Sequence, residues 1–134
     1  MAAIDITWVQ SQTYIGTDST HHSTVISSPD DNVGIKPSEL MLMALGSCTA
    51  YDVVNILSKK RYQLTKLHVH VSATQDADPP WQFRTIHVHY AISGDGLKDE
   101  DVSKAIALSE EKYCSVAATL RHGAALTYDY EIIA

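Results

Sequence analysis

Pro37-Ser-Glu-Leu-Met-Leu-Met-Ala-Leu-Gly-Ser-Cys48-Thr-Ala-Tyr-Asp-Val-Val-Asn-Ile-Leu57 is the stretch that decides how this chain folds. Its apolar residues fall on nearly every side, whereas a helix at a protein surface keeps a polar face. It therefore predicts a long helix from Pro37 to about Lys60, buried at the centre of the molecule. Pro37 suits the first helical position, where its missing N–H costs nothing. Glu39 sits in the first turn, where a carboxylate favours the positive end of the helix. Gly46 marks a place where the helix could bend. Ser38, Glu39, Asp52 and Asn55 interrupt the apolar run and argue against a membrane span. A chain of 134 residues with short strands can hardly wrap such a helix alone. Exposed apolar surface of that kind marks an interface, so an obligate homodimer is predicted, with the central helices packed at or near the dyad.

Outward from the helix, the first thirty residues read as a β meander. Ile4 to Val9 alternates as a half-buried strand should, and Gln12 to Gly16 and His22 to Ser28 supply two more. Ser27-Ser-Pro-Asp-Asp-Asn32 is a turn-rich loop that Gly34 continues. Beyond the helix, Leu64 to Thr74 and Phe83 to Ser93 alternate as the two strands of a hairpin. The first sets Leu67, Val69 and Val71 against His68 and His70; the second sets Ile86, Val88 and Tyr90 against His87 and His89. Asp99 to Lys112 carries a helical stripe at Val102, Ala105, Ile106 and Leu108. Cys114 to Leu120 reads as a short helix and Ala124 to Ile133 as a closing strand. The order is α+β, in one domain spanning 1–134.

A net charge of −6 excludes the clustered cations that a nucleic-acid backbone requires. The basic run Lys59-Lys60-Arg61 has a plainer use at the negative end of the helix dipole. The opening residues show no basic segment followed by an apolar core, so no signal peptide is expected. With two cysteines, that predicts a reducing cytoplasm, where a disulfide is transient rather than structural.

The chemistry rests on those cysteines. A thiol on an apolar helix is either small packing or a sheltered nucleophile, and Gly46-Ser47 before Cys48 would let a ligand approach. An apolar setting raises a thiol pKa, so activation needs a cation, a helix N-terminus or donors nearby. Cys114 lies at a break between helical stretches, where a helix N-terminus would favour thiolate. A sulfenic acid on one cysteine condenses with a second thiol close by. The four histidines of the hairpin, if its strands pair antiparallel, share one sheet face, either solvated or able to hold a metal ion. Trp8, Trp81, Tyr14, Tyr51 and Tyr113 read as core or interface aromatics. Arg121 and His122 either supply positive charge to the site or, the plainer reading, cap the end of the Cys114 helix.

Gly34-x-x-Pro37-Ser-Glu39-Leu-x-Leu-x-Ala-Leu-Gly46-Ser-Cys48-Thr-Ala-x-Asp52-Val-Val and the later Glu-Lys-Tyr-Cys114-Ser-Val together resemble the OsmC/Ohr family, the osmotically induced and organic hydroperoxide resistance proteins. The likeness spans essentially the whole chain. It implies an intertwined α+β homodimer with active sites at the subunit interface and no cofactor. It implies that Cys48 attacks an organic hydroperoxide, that Cys114 resolves the sulfenic acid as a disulfide, and that a dithiol reductant restores both. Glu39 would orient donors at the site. The family's peroxidases also use an arginine from the N-terminal strands and a glutamate directly after the helix proline. Here the first arginine is Arg61, Ser38 follows the proline, and Glu39 comes one position later. One step along a helix turns a side chain by about a quarter turn. The rival readings are a non-catalytic dimer that binds an apolar small molecule or senses redox state, and a metal-binding protein built on the histidine face.

Overall fold

The computed structural model of the chain describes residues 2–134. It is a mixed α+β fold with two three-stranded sheets, and its backbone contacts divide it into two units, the first ending at Met41 and the second running from Leu42 to Ala134.

The first unit is the expected meander: β1 (Asp5–Gln10), β2 (Thr13–Thr17) and β3 (Ser23–Ser27), antiparallel and in that order. The turn after β1 is tied by Asp31, whose carboxylate accepts from the Ser11 hydroxyl, the Gln12 N–H and the Thr13 hydroxyl at 2.9, 2.9 and 2.7 Å. Buried Ser27 gathers the following loop, its hydroxyl oxygen accepting from the N–H groups of Val33 and Gly34. Gly34 is required there, because a Cβ would lie 2.6 Å from the Val25 carbonyl oxygen. The half-buried character expected of the first strand is absent: every residue of β1 is exposed, Trp8 to 65%. As the outer strand of a three-stranded sheet, it has one neighbour only.

α1 (Pro37–Lys59) begins where the sequence places it, with the Lys36 carbonyl accepting the N–H groups of Glu39 and Leu40. In the second unit its buried residues Leu45, Thr49, Val53 and Leu57 recur at four-residue spacing, a single stripe along the helix. That stripe joins Ile86, Val88, Tyr90 and Ile92 in one core cluster with Val102, Ala105 and Ile106. The helix is thus not buried all round within one chain. Met43, Tyr51 and Val54 are 50, 72 and 42% exposed, since only one face has a partner here. By length and composition α1 is apolar enough to cross a bilayer, despite Ser38, Glu39, Asp52 and Asn55, and the stripe against the sheet is what marks it as a core helix. Gly46 lies against Val69 and Val71, where a Cβ would stand 3.0 Å from a Val71 methyl.

The hairpin β4 (Leu64–Gln75) and β5 (Phe83–Gly94) pairs antiparallel as predicted, and β6 (Ala125–Ile132) adds parallel to β5. α2 (Asp99–Leu108) is followed by a π-helical turn, Ser109–Tyr113, and then by α3 (Ser115–Leu120). The stretch expected as one α-helix to Lys112 therefore changes winding at Ser109. Lys60 at the end of α1 pairs with Asp101 of α2 at 2.9 Å, and the Tyr62 hydroxyl donates to the same carboxylate at 2.5 Å. The aromatics expected in core or interface divide: Trp8, Tyr51, Trp81 and Tyr113 are more than half exposed in the single chain.

Packing this close at Gly46 makes a testable demand. Gly46→Leu should lower stability by roughly 1–3 kcal/mol through overpacking against Val69 and Val71, read as a shifted urea midpoint at fixed protein concentration.

Candidate active site

Cys48 sits on α1 directly before buried Thr49, half-buried and packed against the core cluster. Cys114 is 2% exposed and lies within that cluster. The π turn sets its place. The Cys114 N–H donates back to the Ser109 carbonyl at 2.9 Å, an i to i−5 bond that admits one more residue per turn than an α-helix. Ser109 is in turn fastened to α1, its hydroxyl reaching the Asp52 carboxylate at 2.9 Å and the Thr49 carbonyl at 3.3 Å. The turn that carries Cys114 is thereby held to the helix segment that carries Cys48. Both thiols are free, and Cys48 is near enough to bear on the ionisation of Cys114.

Cys114 does cap α3, as its position suggested: its sulfur accepts from the Ala117 N–H at 3.3 Å. That donor favours thiolate, but burial opposes it more strongly. Burial first, and the adjacent Cys48 thiol second, push the Cys114 pKa up to about 11. The expectation that the helix end makes this thiol acidic is corrected by its surroundings.

Sequence reasoning missed one buried acid. Glu110, 3% exposed, accepts from the Tyr90 hydroxyl at 2.5 Å. Burial raises the Glu110 carboxyl above the ordinary range, against the opposing pull of Tyr90 and Arg121. Burial and Glu110 likewise hold the Tyr90 phenol above its usual value. Arg121 caps α3 as expected, its Nε donating to the Ala117 carbonyl at 3.3 Å, and its guanidinium also donates to the Glu110 carbonyl. A signal for Ser109 and Glu110 was present: they continue the α2 stripe of Val102, Ala105 and Ile106 at helical spacing, which marks both as inward-facing.

Glu39 belongs to the first unit and is ion-paired with Lys36. On the hairpin, His70 stands opposite His89, His68 opposite Ala91 and His87 opposite Ser72. The strand beyond takes up two of the imidazoles. His87 binds Thr127 at 2.7 Å and Asp129 at 2.9 Å, and His89 binds Asp129 at 2.7 Å. Among the described residues no group of three or more His, Cys, Asp or Glu side chains is arranged to hold a metal ion.

The family model described as OsmC-like protein matches residues 29–129. Protein YhfA of Escherichia coli K12 is 35% identical over 129 residues, which are 96% of each chain. The crystal structure of an OsmC-like protein from Mycoplasma pneumoniae, 14% identical, has a TM-score of 0.85 and covers 100% of this chain and 98% of its own. The organic hydroperoxide resistance protein OhrB of Bacillus subtilis, also 14% identical, has a TM-score of 0.65 and covers 98% of both chains. At those identities the two structures show the shared fold.

Two outcomes follow from the titrations. Iodoacetamide should modify Cys114 more slowly than free cysteine at pH 8, with the rate still climbing towards pH 11; liquid-chromatography mass spectrometry of the peptide carrying Cys114 reads this directly. His89 is held above the ordinary imidazole range, chiefly by Asp129, so their pairing stabilises below that range and fades as pH rises through the elevated value. Asp129→Asn should lower the His89 midpoint in an NMR titration.

Proposed function

Because this chain belongs to the OsmC-like protein family, we propose that it is a cysteine-based reductase of organic hydroperoxides, acting as a cytoplasmic homodimer. The observation that carries this reading is the adjacency of Cys48 and Cys114, 66 positions apart in the sequence yet neighbours in one mostly apolar cluster. The printed name of the Bacillus relative, organic hydroperoxide resistance protein, supports the choice of substrate class.

The division of labour follows from burial. A thiol with a pKa near 11 stays protonated at neutral pH and is the poorer first nucleophile. Cys48, half-buried rather than enclosed, therefore takes the attacking role. Its thiolate displaces alkoxide from the terminal peroxide oxygen: the O–O bond breaks, an S–O bond forms, and the alkoxide leaves as alcohol on taking a proton. Sulfur is oxidised to sulfenic acid and the peroxide is reduced. The Cys114 sulfur then attacks Cys48, the S–O bond breaks, and hydroxide leaves as water. An external dithiol reverses the disulfide by exchange. Glu39, held by Lys36, takes the orienting role that the resemblance assigns to a glutamate near the start of the helix. The exposed apolar residues of α1, Met43, Tyr51 and Val54, and the exposed β1 support burial against a second copy.

Reduced protein mixed with cumene hydroperoxide and dihydrolipoamide should consume peroxide catalytically, and Cys48→Ser should lose all turnover. Cys114→Ser should complete one oxidation and stall as a sulfenic acid that dimedone traps. Peroxide loss unchanged in Cys48→Ser would overturn the assignment.

A further inference from the structure

The resolving step poses a problem of proton traffic. Cys114 has no route to solvent of its own: it is 2% exposed, protonated at neutral pH, and must lose its proton as its sulfur attacks Cys48. In the same core cluster lies Tyr90, fully buried, and near enough that the thiol's ionisation bears on the phenol. The Tyr90 hydroxyl is committed to the Glu110 carboxylate at 2.5 Å. Glu110 in turn lines a cleft of about 250 Å³ together with Glu111, Arg121 and Tyr128. A space of that size takes several waters at roughly 30 Å³ each. Phenol, carboxylate and cleft thus form an ordered series leading outward from the cluster that holds the thiol.

We propose that Tyr90 and Glu110 carry the proton of Cys114 between the buried thiol pair and this cleft, Tyr90 accepting it and Glu110 acting as the positioning residue that makes Tyr90 able to do so. The step balances. The thiol proton passes to the Tyr90 oxygen as the phenolic proton passes to the Glu110 carboxylate, and the sulfur lone pair forms the S–S bond. The S–O electron pair leaves with hydroxide, and the proton held on Glu110 is returned through the cleft to solvent, making good the one that hydroxide takes to become water. On reduction by an external dithiol the same series runs backwards and reprotonates Cys114.

The groups facing Glu110 set the sign of its pH dependence. Tyr90 of β5 donates to it, and Arg121 beyond α3 favours its ionised form. Glu111, itself held by the Tyr128 hydroxyl of β6 at 3.1 Å, opposes ionisation, as burial does. The carboxylate must be ionised to receive a proton, so the resolving rate should rise as Glu110 deprotonates, above the ordinary carboxylate range, and then level off.

This inference rests on the proposed attack of Cys114 on Cys48, but its test needs no peroxide. Reduced protein is treated with 2,2′-dithiodipyridine, which places a pyridyl disulfide on Cys48, and release of the second thiopyridone times the attack by Cys114. With Glu110 and Tyr90 intact the rate should rise as Glu110 ionises and then level off. Glu110→Gln and Tyr90→Phe should each slow it roughly a hundredfold at pH 7, the scale of a lost proton acceptor. Each should also convert the profile to one rising about tenfold per pH unit, because only hydroxide then accepts the proton. Glu110→Asp, which keeps the charge, should restore the levelling profile at reduced rate. Tyr90→Phe preserves the shape of the core and decides the matter if Glu110→Gln folds poorly. Profiles parallel to the unsubstituted protein at every pH, slowed or not, would overturn the relay. Failure of the hydroperoxide assay with the relay intact would overturn only the substrate assignment.

Discussion

The tie from Ser109 to α1 is the constraint on which the rest of the second unit depends. Its hydroxyl reaches a carboxylate and a carbonyl of the helix at once, so the π turn begins at a fixed point on α1. A buried hydroxyl without a partner costs about 1–3 kcal/mol, and among the described residues no buried side-chain polar atom lacks a hydrogen bond. Losing the tie would therefore leave Ser109 unpaired in the core and free the turn to rewind as α-helix. An α winding would shift every residue after Leu108 by about a hundred degrees per residue of register. Cys114 would then point away from the cluster it now occupies. The pairing of two thiols remote in sequence is thus a consequence of one serine and one winding defect.

Two effects compete at Cys114, and their ordering gives the site its asymmetry. The first turn of α3 offers an N–H donor, which on an exposed helix would make a thiol acidic. Enclosure in an apolar cluster disfavours charge more, because a short helix contributes little field while the loss of hydration is nearly complete. The result is one buried, protonated thiol next to one less enclosed thiol on α1. On the proposed chemistry, that asymmetry assigns the first attack to Cys48.

Much of the architecture was legible in the residues. The interval between Pro37 and Lys60, the two strands of the hairpin and the strand after Gly123 follow from periodicities of 3.6 and 2 that the core enforces. The two thiols were legible as candidates by their type and setting. Their adjacency was not, because it depends on the π turn, and the Ser-Glu-Glu-Lys-Tyr run that forms it has no composition distinguishing it from an α turn. Tyr90 read as one more apolar residue on the inner face of its strand, which it is by position; its hydroxyl acquires a role only through Glu110, 20 positions later. Glu110 itself was masked by charge, since a carboxylate in a Glu-Glu-Lys run reads as solvated. Its place on the α2 stripe argued the reverse. The exposed flank of α1 shows the opposite failure, for the sequence records apolar residues without saying which of them a single chain can cover.

Retention of a carboxyl at Glu110 is the fact that packing alone does not explain. A buried acid raises the free energy of the fold unless its bonds are complete, and an apolar residue of like volume at such a site is often neutral or stabilising. Here the acid holds a tyrosine whose ring is already fixed by the core, so the bond adds little to the placement of the ring. What the carboxyl adds is an acceptor for the phenolic proton, on a residue that also lines the cleft. The same geometry separates two requirements that would conflict in one opening. On the proposed chemistry an apolar peroxide needs a dry approach to Cys48, whereas a proton needs a polar path. Placing the polar path behind Cys114, through Tyr90 and Glu110, lets the first remain dry while the second conducts.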